Sequence, residues 1–264
     1  MAGSEKNSTI LLGWARDLVF VTGFLTRLPV ARMVPADPDQ APRNLAQAAW
    51  AFPAVGLIVG AISGLTLMVA STLGLHPLAL ALIALATGVV VTGALHEDGL
   101  ADVADGFGGG LDIQSKLTIM RDSAIGTYGM LALVFSVIIR ASALAGMPGP
   151  GTATLALISA ACISRALMVG LMANLPAARD DGLGASAGKP EMETFLTAFA
   201  LAAVTAFVLS GAVAWILLIA GCLAAAAMMV LAKRQIGGHT GDVLGATQQV
   251  SETAILLAAA AALG

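Results

Sequence analysis

Long apolar segments recur along the chain, and they restrict its fold more than any other feature. They cover residues 48–73, 77–95, 129–147, 152–174, 194–210 and 212–232. Each approaches the ~20 residues that a helix needs to cross a bilayer. A last apolar stretch, 253–263, is short, but it can complete a helix that begins near Val243. With 58% hydrophobic residues and a mean hydropathy of +0.90, the chain is predicted to be all-α, a polytopic transmembrane helical bundle of six to seven spans.

The N-terminal region differs from these segments because charges interrupt its apolar run. Residues 9–30 are predicted to form an amphipathic helix at the membrane interface, with Trp14 at the level of the headgroups. A polar linker follows. We interpret 1–264 as a single integral membrane domain, in which 1–47 is the interfacial helix and linker and 48–264 is the transmembrane bundle.

Charged residues alternate between the connections of this scheme. The connections at 74–76, 148–151 and Gly211 contain no Asp, Glu, Lys or Arg. The other connections hold all but two of the 13 Lys and Arg residues, namely Lys6, Arg16, Arg27, Arg32, Arg43, Lys116, Arg121, Arg179, Lys189, Lys233 and Arg234. The positive-inside rule places these charged connections in the cytoplasm, and a seventh span would leave the C-terminus outside.

An acidic block at 96–106 lies in one of the connections predicted to be cytoplasmic. It contains Glu97, Asp98, Asp102 and Asp105. On a helix, the three aspartates would share one face, because they follow the i, i+4, i+7 spacing. Repulsion among them indicates a bound cation, and aspartate oxygens suit Mg²⁺ or Mn²⁺. A solvated acidic surface is the alternative interpretation.

Two arginines lie inside predicted spans. Arg140 and Arg165 are each roughly 14 to 18 Å from the cytoplasmic end of their span, at the rise of an α-helix. Burying each costs on the order of 2.5 to 3.5 kcal/mol. They are predicted either to clamp a phosphate or to pair with a carboxylate or with free backbone carbonyls.

Two further connections carry candidate ligands. In residues 116–129, Asp122 is a candidate to join the acidic face, and a helix cap is its alternative role. The glycine-rich residues 176–190 place Arg179 and Lys189 where they could fold over a phosphorylated ligand, or form an ordinary flexible connection.

The segment 237–249 is the third such connection. Its His239, Thr240 and Asp242 precede a helix and resemble an anion or metal site at a helix N-terminus. A simple N-cap is the alternative for Asp242.

Several familiar sites are excluded by the sequence. His96 and Glu97 do not form a zincin motif, because Leu100 occupies the position of the second histidine. The glycines after Phe107 lack the Lys-Ser/Thr of a P-loop, and nothing indicates nucleic-acid binding. The remaining combination of carboxylates, a divalent ion and arginines fits displacement at a pyrophosphate.

Five ordered blocks of the sequence resemble the cobalamin synthase family, integral membrane enzymes also called adenosylcobinamide-GDP ribazoletransferases. The blocks are FLTRLPV (24–30), HEDGLADVADGFGGG (96–110), MRDSAIGTYG (120–129), SRALMVGLMANLPAARDDGLGA (164–185) and GGHTGDVLGA (237–246). They extend over nearly the whole chain, so the resemblance is far more specific than any one motif.

The resemblance implies a reaction, a cofactor and a location. The ribose hydroxyl of alpha-ribazole, or of its 5'-phosphate, would attack the cobinamide-bearing phosphorus of adenosylcobinamide-GDP, and GMP would leave. It also implies Mg²⁺ and a multi-pass protein of the bacterial inner membrane whose site faces the cytoplasm. The sequence does not specify an oligomeric state, and it is compatible with a homo-oligomer.

On this basis, the sequence assigns roles to its candidate residues. The catalytic residues are expected to be His96, Asp98, Asp102, Asp105 and Asp122. The metal ligands are expected to be Glu97, Asp98, Asp102 and Asp105, with Glu97 at a position that is variable in the family. The substrate-binding residues are expected to be Arg140, Arg165, Arg179, Lys189, His239, Thr240 and Asp242. The general base stays open between a carboxylate, His96, His239 and solvent.

Two other classes of protein use similar features. CDP-alcohol phosphotransferases and membrane prenyltransferases also combine Asp-rich motifs with Mg²⁺, but the phosphotransferase pattern fails here because Gly99 follows Asp98. A transporter would place its ion ligands near the middle of the bilayer, whereas these acids lie in a connection.

Overall fold

A computed structural model of the protein describes residues 2–30, 33, 44–182 and 186–264, without the side chains of residues 2–10. The predicted all-α fold is confirmed in this part of the chain. In order, its α-helices are α1 (Ala2–Leu25), α2 (Leu45–Ala48), α3 (Phe52–Ser71), α4 (Pro77–Thr92), α5 (Leu95–Gly109), α6 (Ile113–Ile119), α7 (Thr127–Ala145), α8 (Pro150–Asn174), α9 (Met192–Ser210), α10 (Ala214–Ile236) and α11 (Gly241–Leu263). Most of the predicted linker, with Arg32 and Arg43, lies outside the described residues.

Four helical stretches of the described chain are long and apolar enough to cross a membrane. They are Leu45–Ser71, Thr127–Ala145, Pro150–Asn174 and Met192–Ile236. The last has 45 residues, about twice what one crossing requires. It is broken at Gly211, whose φ is 53°, and beyond the break the ring of Trp215 packs edge-on against Phe207. The chain is therefore a polytopic helical membrane protein, with α9 and α10 as the two arms of a turn.

The predicted span at 77–95 is shorter than expected. Helix α4 has 16 residues, and Gly93 and Ala94 after it both adopt left-handed backbone angles, with φ of 65° and 59°. These two residues turn the chain by 92° into α5. Neither α4 nor α5 alone is long and apolar enough to cross a membrane, but the two helices together are. We treat α5 as lying outside the spans, because it carries the acidic block.

The predicted seventh helix is present as α11, which begins two residues before Val243. It is not among the stretches that qualify as spans by length and composition in the described chain. Its polar residues Gln248, Gln249 and Glu252 are buried, and the helix packs against α5, α7, α8 and α10. The predicted polytopic helical bundle is thus confirmed, with four stretches of the described chain long and apolar enough to cross a membrane, or five if α4 and α5 form one span.

Helix α8 lies at the centre of the bundle, and 89% of its most apolar window is buried. Helix α3 packs closely against it through Gly56, Gly60 and Gly64. A Cβ added at Gly60 would lie 2.7 Å from the Cα of Ile158. Small residues at every fourth position allow helix backbones to approach in membrane proteins, where burial from water does not drive association.

The helix ends separate into a charged end and an uncharged end. At the uncharged end, the connections before Pro77 and before Pro150 meet beside Leu67 around an apolar cavity of about 280 Å³. At the other end, Arg121 pairs with Asp181 and thereby joins two connections that the sequence places on the same side. The structure therefore brings charged connections together at one end of the bundle.

Candidate active site

The acidic block forms α5, and glycines hold this helix close to α11. A Cβ at Gly99 would lie 2.7 Å from the backbone oxygen of Asp242, and one at Gly245 would lie 3.3 Å from the Cα of His96. Glycine permits such close approach of two backbones. The crossing brings Asp98 of α5 beside Asp242 of α11.

Three carboxylates share the region around this crossing. Partial burial and the negative charges of Asp98, Asp242 and Asp105 raise the pKa of Asp102 to about 7. Burial, with a contribution from Asp98, also raises the pKa of Asp242. The predicted repulsion among the carboxylates is therefore present, and Asp242 belongs to the cluster with Asp98 and Asp102. We call these three residues the acidic cluster.

One arginine of the predicted set lies at this cluster. The Nη2 of Arg179 is 3.7 Å from Oδ2 of Asp242, and its Nε is 3.8 Å from Oδ1 of Asp181. Asp181 in turn pairs with Arg121. Four residues of alternating charge thus lie in a row, from the connection before α7 to the start of α11: Arg121, Asp181, Arg179 and Asp242.

Backbone pairing holds Arg179 in this position. The N–H of His239 donates to the carbonyl of Pro176 at 2.9 Å, and the N–H of Ala178 donates to the carbonyl of His239 at 2.8 Å. The Nδ1 of His239 is also 3.0 Å from the Pro176 carbonyl. A positioning role for His239 follows from these contacts, while its predicted substrate contact stays a prediction.

The N-cap of α11 is Thr240 and not Asp242. The Thr240 hydroxyl accepts a hydrogen bond from the N–H of Val243 at 3.3 Å and donates to Asp242 Oδ2 at 3.1 Å. The N-cap alternative for Asp242 is therefore wrong. The carboxylate of Asp242 instead lies in the first turn, where the helix dipole favours negative charge.

Asp105 has a structural role that the sequence did not reveal. Its Oδ2 accepts the N–H of Gly126 at 2.7 Å, and its Oδ1 accepts the N–H of Gly129 at 2.9 Å. Asp105 therefore caps the N-terminus of α7 from a neighbouring helix. Side chains at either glycine would collide with this carboxylate. Its predicted metal role is untested, but both oxygens already accept hydrogen bonds.

Asp122 lies in a turn before α7 and is exposed. Its Oδ1 accepts the N–H of Ala124 at 3.0 Å, a local turn stabilised by the side chain. It does not cap α7, whose N-cap is Gly126, so the cap alternative for Asp122 is wrong. Lys189 is likewise exposed, and the predicted roles of both residues stay predictions.

Glu97 points to the interior of the bundle, away from the acidic cluster. Its Oε1 accepts a hydrogen bond from Gln249 at 2.9 Å and lies 3.8 Å from Nη2 of Arg140. Arg140 donates to Glu252 at 3.0 Å. Glu252 was missed in the sequence, although a lone Glu in the apolar run of α11 is itself a signal of a buried partner.

Arg165 and His96 complete this interior group. Arg165 is 2% exposed and donates to the carbonyl of Ala161 at 3.1 Å. His96 is 1% exposed. Both residues line a cavity of about 30 Å³ together with Arg140, which has room for two or three water molecules. The alternative of internal pairing is thus realised for both arginines, while their predicted contact with phosphate stays a prediction.

A larger cavity, of about 150 Å³, lies against the acidic cluster. Its polar lining comes from His96, Asp98, Arg179 and Asp242. Its other walls are the apolar or small residues Phe24, Leu25, Leu45, Phe52, Leu95, Met168, Ala187, Gly241, Leu244 and Gly245. The sequence did not predict these walls, because they come from segments far apart in the chain.

No group of three or more His, Cys, Asp and Glu side chains within the described residues is arranged to hold a metal ion. The acidic cluster nevertheless offers hard oxygen donors with unbalanced negative charge. Mg²⁺ is usually held by one or two carboxylates with substrate phosphates completing its shell. The cluster suits that mode of binding better than a cage made by the protein alone.

The sequence matches one family model and named relatives from bacteria. The model is described as cobalamin-5-phosphate synthase and matches residues 17–260. Proteins named adenosylcobinamide-GDP ribazoletransferase include one from Bradyrhizobium diazoefficiens, 49% identical over 93% of both chains. Another, from Mesorhizobium japonicum, is 45% identical over 94% of this chain and 93% of its own. No solved structure matches the chain significantly.

Proposed function

The chain belongs to the cobalamin-5-phosphate synthase family, and we propose that it catalyses the transfer named in its relatives. In this reaction, a ribose hydroxyl of alpha-ribazole, or of its 5'-phosphate, attacks the cobinamide-bearing phosphorus of adenosylcobinamide-GDP. A new P–O bond forms, the bond to the GMP oxygen breaks, and the hydroxyl proton passes to a base. GMP and adenosylcobalamin, or its phosphate, are the products.

The observation that carries this proposal is the convergence of the acidic cluster with Arg179. Asp98 and Asp102 come from α5, Asp242 from α11 and Arg179 from the connection between α8 and α9. Residues far apart in the sequence thus create one charged site at one end of the bundle. Transfer at a diphosphate depends mainly on positioning and charge neutralisation, and these residue types supply both.

Mg²⁺ is part of the proposal. One or two carboxylates among Asp98, Asp102 and Asp242 would hold the ion together with substrate phosphate oxygens, and a bound Mg²⁺ would neutralise charge on the diphosphate. Burial and repulsion by the neighbouring carboxylates raise the pKa of Asp102, and positive charge among the carboxylates would relieve the repulsion. Arg179 would bind a phosphate oxygen, because its guanidinium is a planar hydrogen-bond donor.

We place this site on the cytoplasmic face of the bacterial inner membrane. Support comes from the charges of the connections that contact it, since Arg121 and Arg179 both lie at this end. Lys233 and Arg234 lie in the last turn of α10, just before the segment that enters the site. The positive-inside rule assigns such connections to the cytoplasm.

Release of GMP by the purified protein tests the proposed reaction. We expect GMP only when adenosylcobinamide-GDP and alpha-ribazole, or its phosphate, are both present with Mg²⁺. EDTA should stop the release, and excess Mg²⁺ should restore it. GMP formation without the ribazole would indicate a hydrolase, and no GMP under any condition would contradict the proposal. A CDP-alcohol assay with the same preparation serves as the control for the phosphotransferase alternative.

A further inference from the structure

The cavity of about 150 Å³ beside the acidic cluster is not accounted for by binding of a diphosphate or an ion. We propose that it holds the flat aromatic base of the ribazole, so that the attached ribose reaches the acidic cluster. This inference rests on the proposed function, from which it takes the three organic groups that the enzyme must accommodate: a corrinoid, a guanine and a benzimidazole.

The size of the cavity distinguishes the corrinoid from the two bases. One water molecule needs about 10–15 Å³ of accessible space, so the cavity has room for about ten water molecules. That space suits a bicyclic aromatic ring. A corrin macrocycle with its amide side chains is several times larger, so the corrinoid must lie outside this cavity.

The walls of the cavity distinguish benzimidazole from guanine. Phe24 and Leu25 at the end of α1, Phe52 at the start of α3 and Met168 of α8 belong to the apolar part of the lining, while the polar part consists of the four residues named above. Guanine has donors and acceptors along its whole edge, and those that met the apolar part of the lining would lose their hydrogen bonds to water. A benzimidazole has an apolar carbocyclic edge and one free ring nitrogen, so it loses much less.

Two polar groups at the cavity match the remaining polar atoms of the acceptor. His96 lines this cavity, and its Nε2 is buried without a hydrogen bond to any described residue, so we assign it as the partner of the ring nitrogen of the base. The Nη1 of Arg179 is also buried without a partner in the described chain. This nitrogen would bind the 5'-phosphate when that form of ribazole is used, in addition to the diphosphate oxygen that Arg179 is proposed to bind.

Kinetics of Met168→Phe test this assignment, because the larger ring reduces the space available to the base. We expect the KM for alpha-ribazole to rise about tenfold, the scale at which hydrophobic pockets discriminate by small changes in size. The KM for adenosylcobinamide-GDP should stay unchanged. A ribazole analogue with an unsubstituted benzimidazole should be affected less. Met172→Phe makes the same change one turn along α8, at a buried residue that does not line the cavity.

The outcomes of this experiment separate the two proposals. An equal rise in both KM values, a rise for the corrinoid alone or no rise at all would overturn the assignment of the cavity. If Met168→Phe does not fold, Met168→Ala enlarges the space and should improve the KM of an analogue with a larger base relative to alpha-ribazole. If the wild-type protein releases no GMP, the proposed function fails, and titration of alpha-ribazole against wild type and the Met168 variant still measures whether the cavity binds the base.

Discussion

Residues of similar chemistry in one acidic helix perform different tasks, and their neighbours determine which. Asp98 and Asp102 lie beside Asp242, whereas Asp105 caps α7. Glu97, one position before Asp98, faces Gln249 and Arg140 inside the bundle. A run of carboxylates therefore contains an electrostatic site, a helix cap and a buried ion pair, and substitutions should separate these three functions.

Asp102→Asn should reduce GMP release on the order of 100-fold or more, because the substitution removes one charge from an electrostatic site without changing its shape. The amount of folded protein in the membrane should be unaffected. Rate measurements alongside size-exclusion chromatography check both statements. Asp112→Asn is the matched control, because Asp112 caps α6 away from the cluster and Asn is an equally good N-cap. Turnover near the wild-type rate would contradict the role of Asp102.

The stability of the metal-free protein should depend on pH through Asp102. Its pKa is about 7 in the folded chain, against about 3.9 in an unfolded chain. The folded state binds this proton more tightly, so the stabilising contribution is complete below pH ~4 and is lost as the pH rises through about 7. Thermal unfolding in EDTA should therefore show the melting temperature of wild type falling relative to Asp102→Asn over this range. Parallel pH profiles would exclude the effect.

Asp105→Ala should lower stability more than Asp102→Ala does. Removing the Asp105 carboxylate leaves the N–H groups of Gly126 and Gly129 without their acceptor, which costs about 1–2 kcal/mol for a helix cap. Removing Asp102 relieves repulsion and costs no cap. Thermal unfolding of the two variants in the same detergent measures the difference, and equal losses would show that capping of α7 by Asp105 contributes little.

At the scale of elements, the site depends on two features of α5: the sharp turn before it and its close crossing with α11. Left-handed angles at Gly93 and Ala94 turn the chain by 92°, which lays an acidic helix across the end of the bundle. Gly99 and Gly245 then let α5 and α11 approach until Asp98 and Asp242 influence each other. Glycine spacing in one helix indicates a close contact but does not identify the partner helix.

Gly99→Ala should impair catalysis by forcing α5 away from α11. The added methyl group would lie 2.7 Å from the backbone oxygen of Asp242, and backbone atoms cannot move aside as a flexible side chain does. We expect a loss of turnover larger than any loss of thermal stability. Gly109→Ala is the matched control on the same helix, since its methyl group would meet Ile119 at 3.5 Å, an ordinary contact. Equal activity of the two variants would argue against the crossing as a determinant of the site.

At the scale of the whole molecule, the alternation of charged and uncharged connections is reproduced by the two ends of the bundle. The charged connections meet around α5 and the start of α11, while the uncharged connections meet around Pro77 and Pro150. The packing of the helices does not determine which of the two ends faces the cytoplasm. The positive charges determine the orientation of the bundle in the membrane, because cytoplasmic loops retain Lys and Arg.

Reporter fusions should establish this orientation. Fusions after Ser71 and after Pro150 should report an external location, and a fusion after Ala187 should report a cytoplasmic one. The physical reason is that 74–76 and 148–151 contain no charges, whereas the connection around Ala187 contains Arg179 and Lys189. A phosphatase reporter active outside and a fluorescent reporter active inside provide independent readouts. The reverse pattern would overturn the cytoplasmic location of the site.

The sequence predicted the helical class, most helix positions and the segments that form the site. Apolar runs of bilayer length and the blocks around Asp98, Arg179 and Asp242 are local patterns, and local patterns can be read directly. It did not predict that Asp105 caps α7, that Glu252 pairs with Arg140, or that Phe24, Phe52 and Met168 line one cavity. Each of these contacts joins residues whose separation in the chain carries no periodic signal.

By itself, the sequence determined that the chain forms helices of membrane-spanning length and that most of its charged residues lie in the connections, because both follow from hydrophobicity and helix geometry along the chain. Only the tertiary structure decided which carboxylates act together. That choice depends on where α5 turns and how closely α11 approaches it, and packing between distant segments sets both.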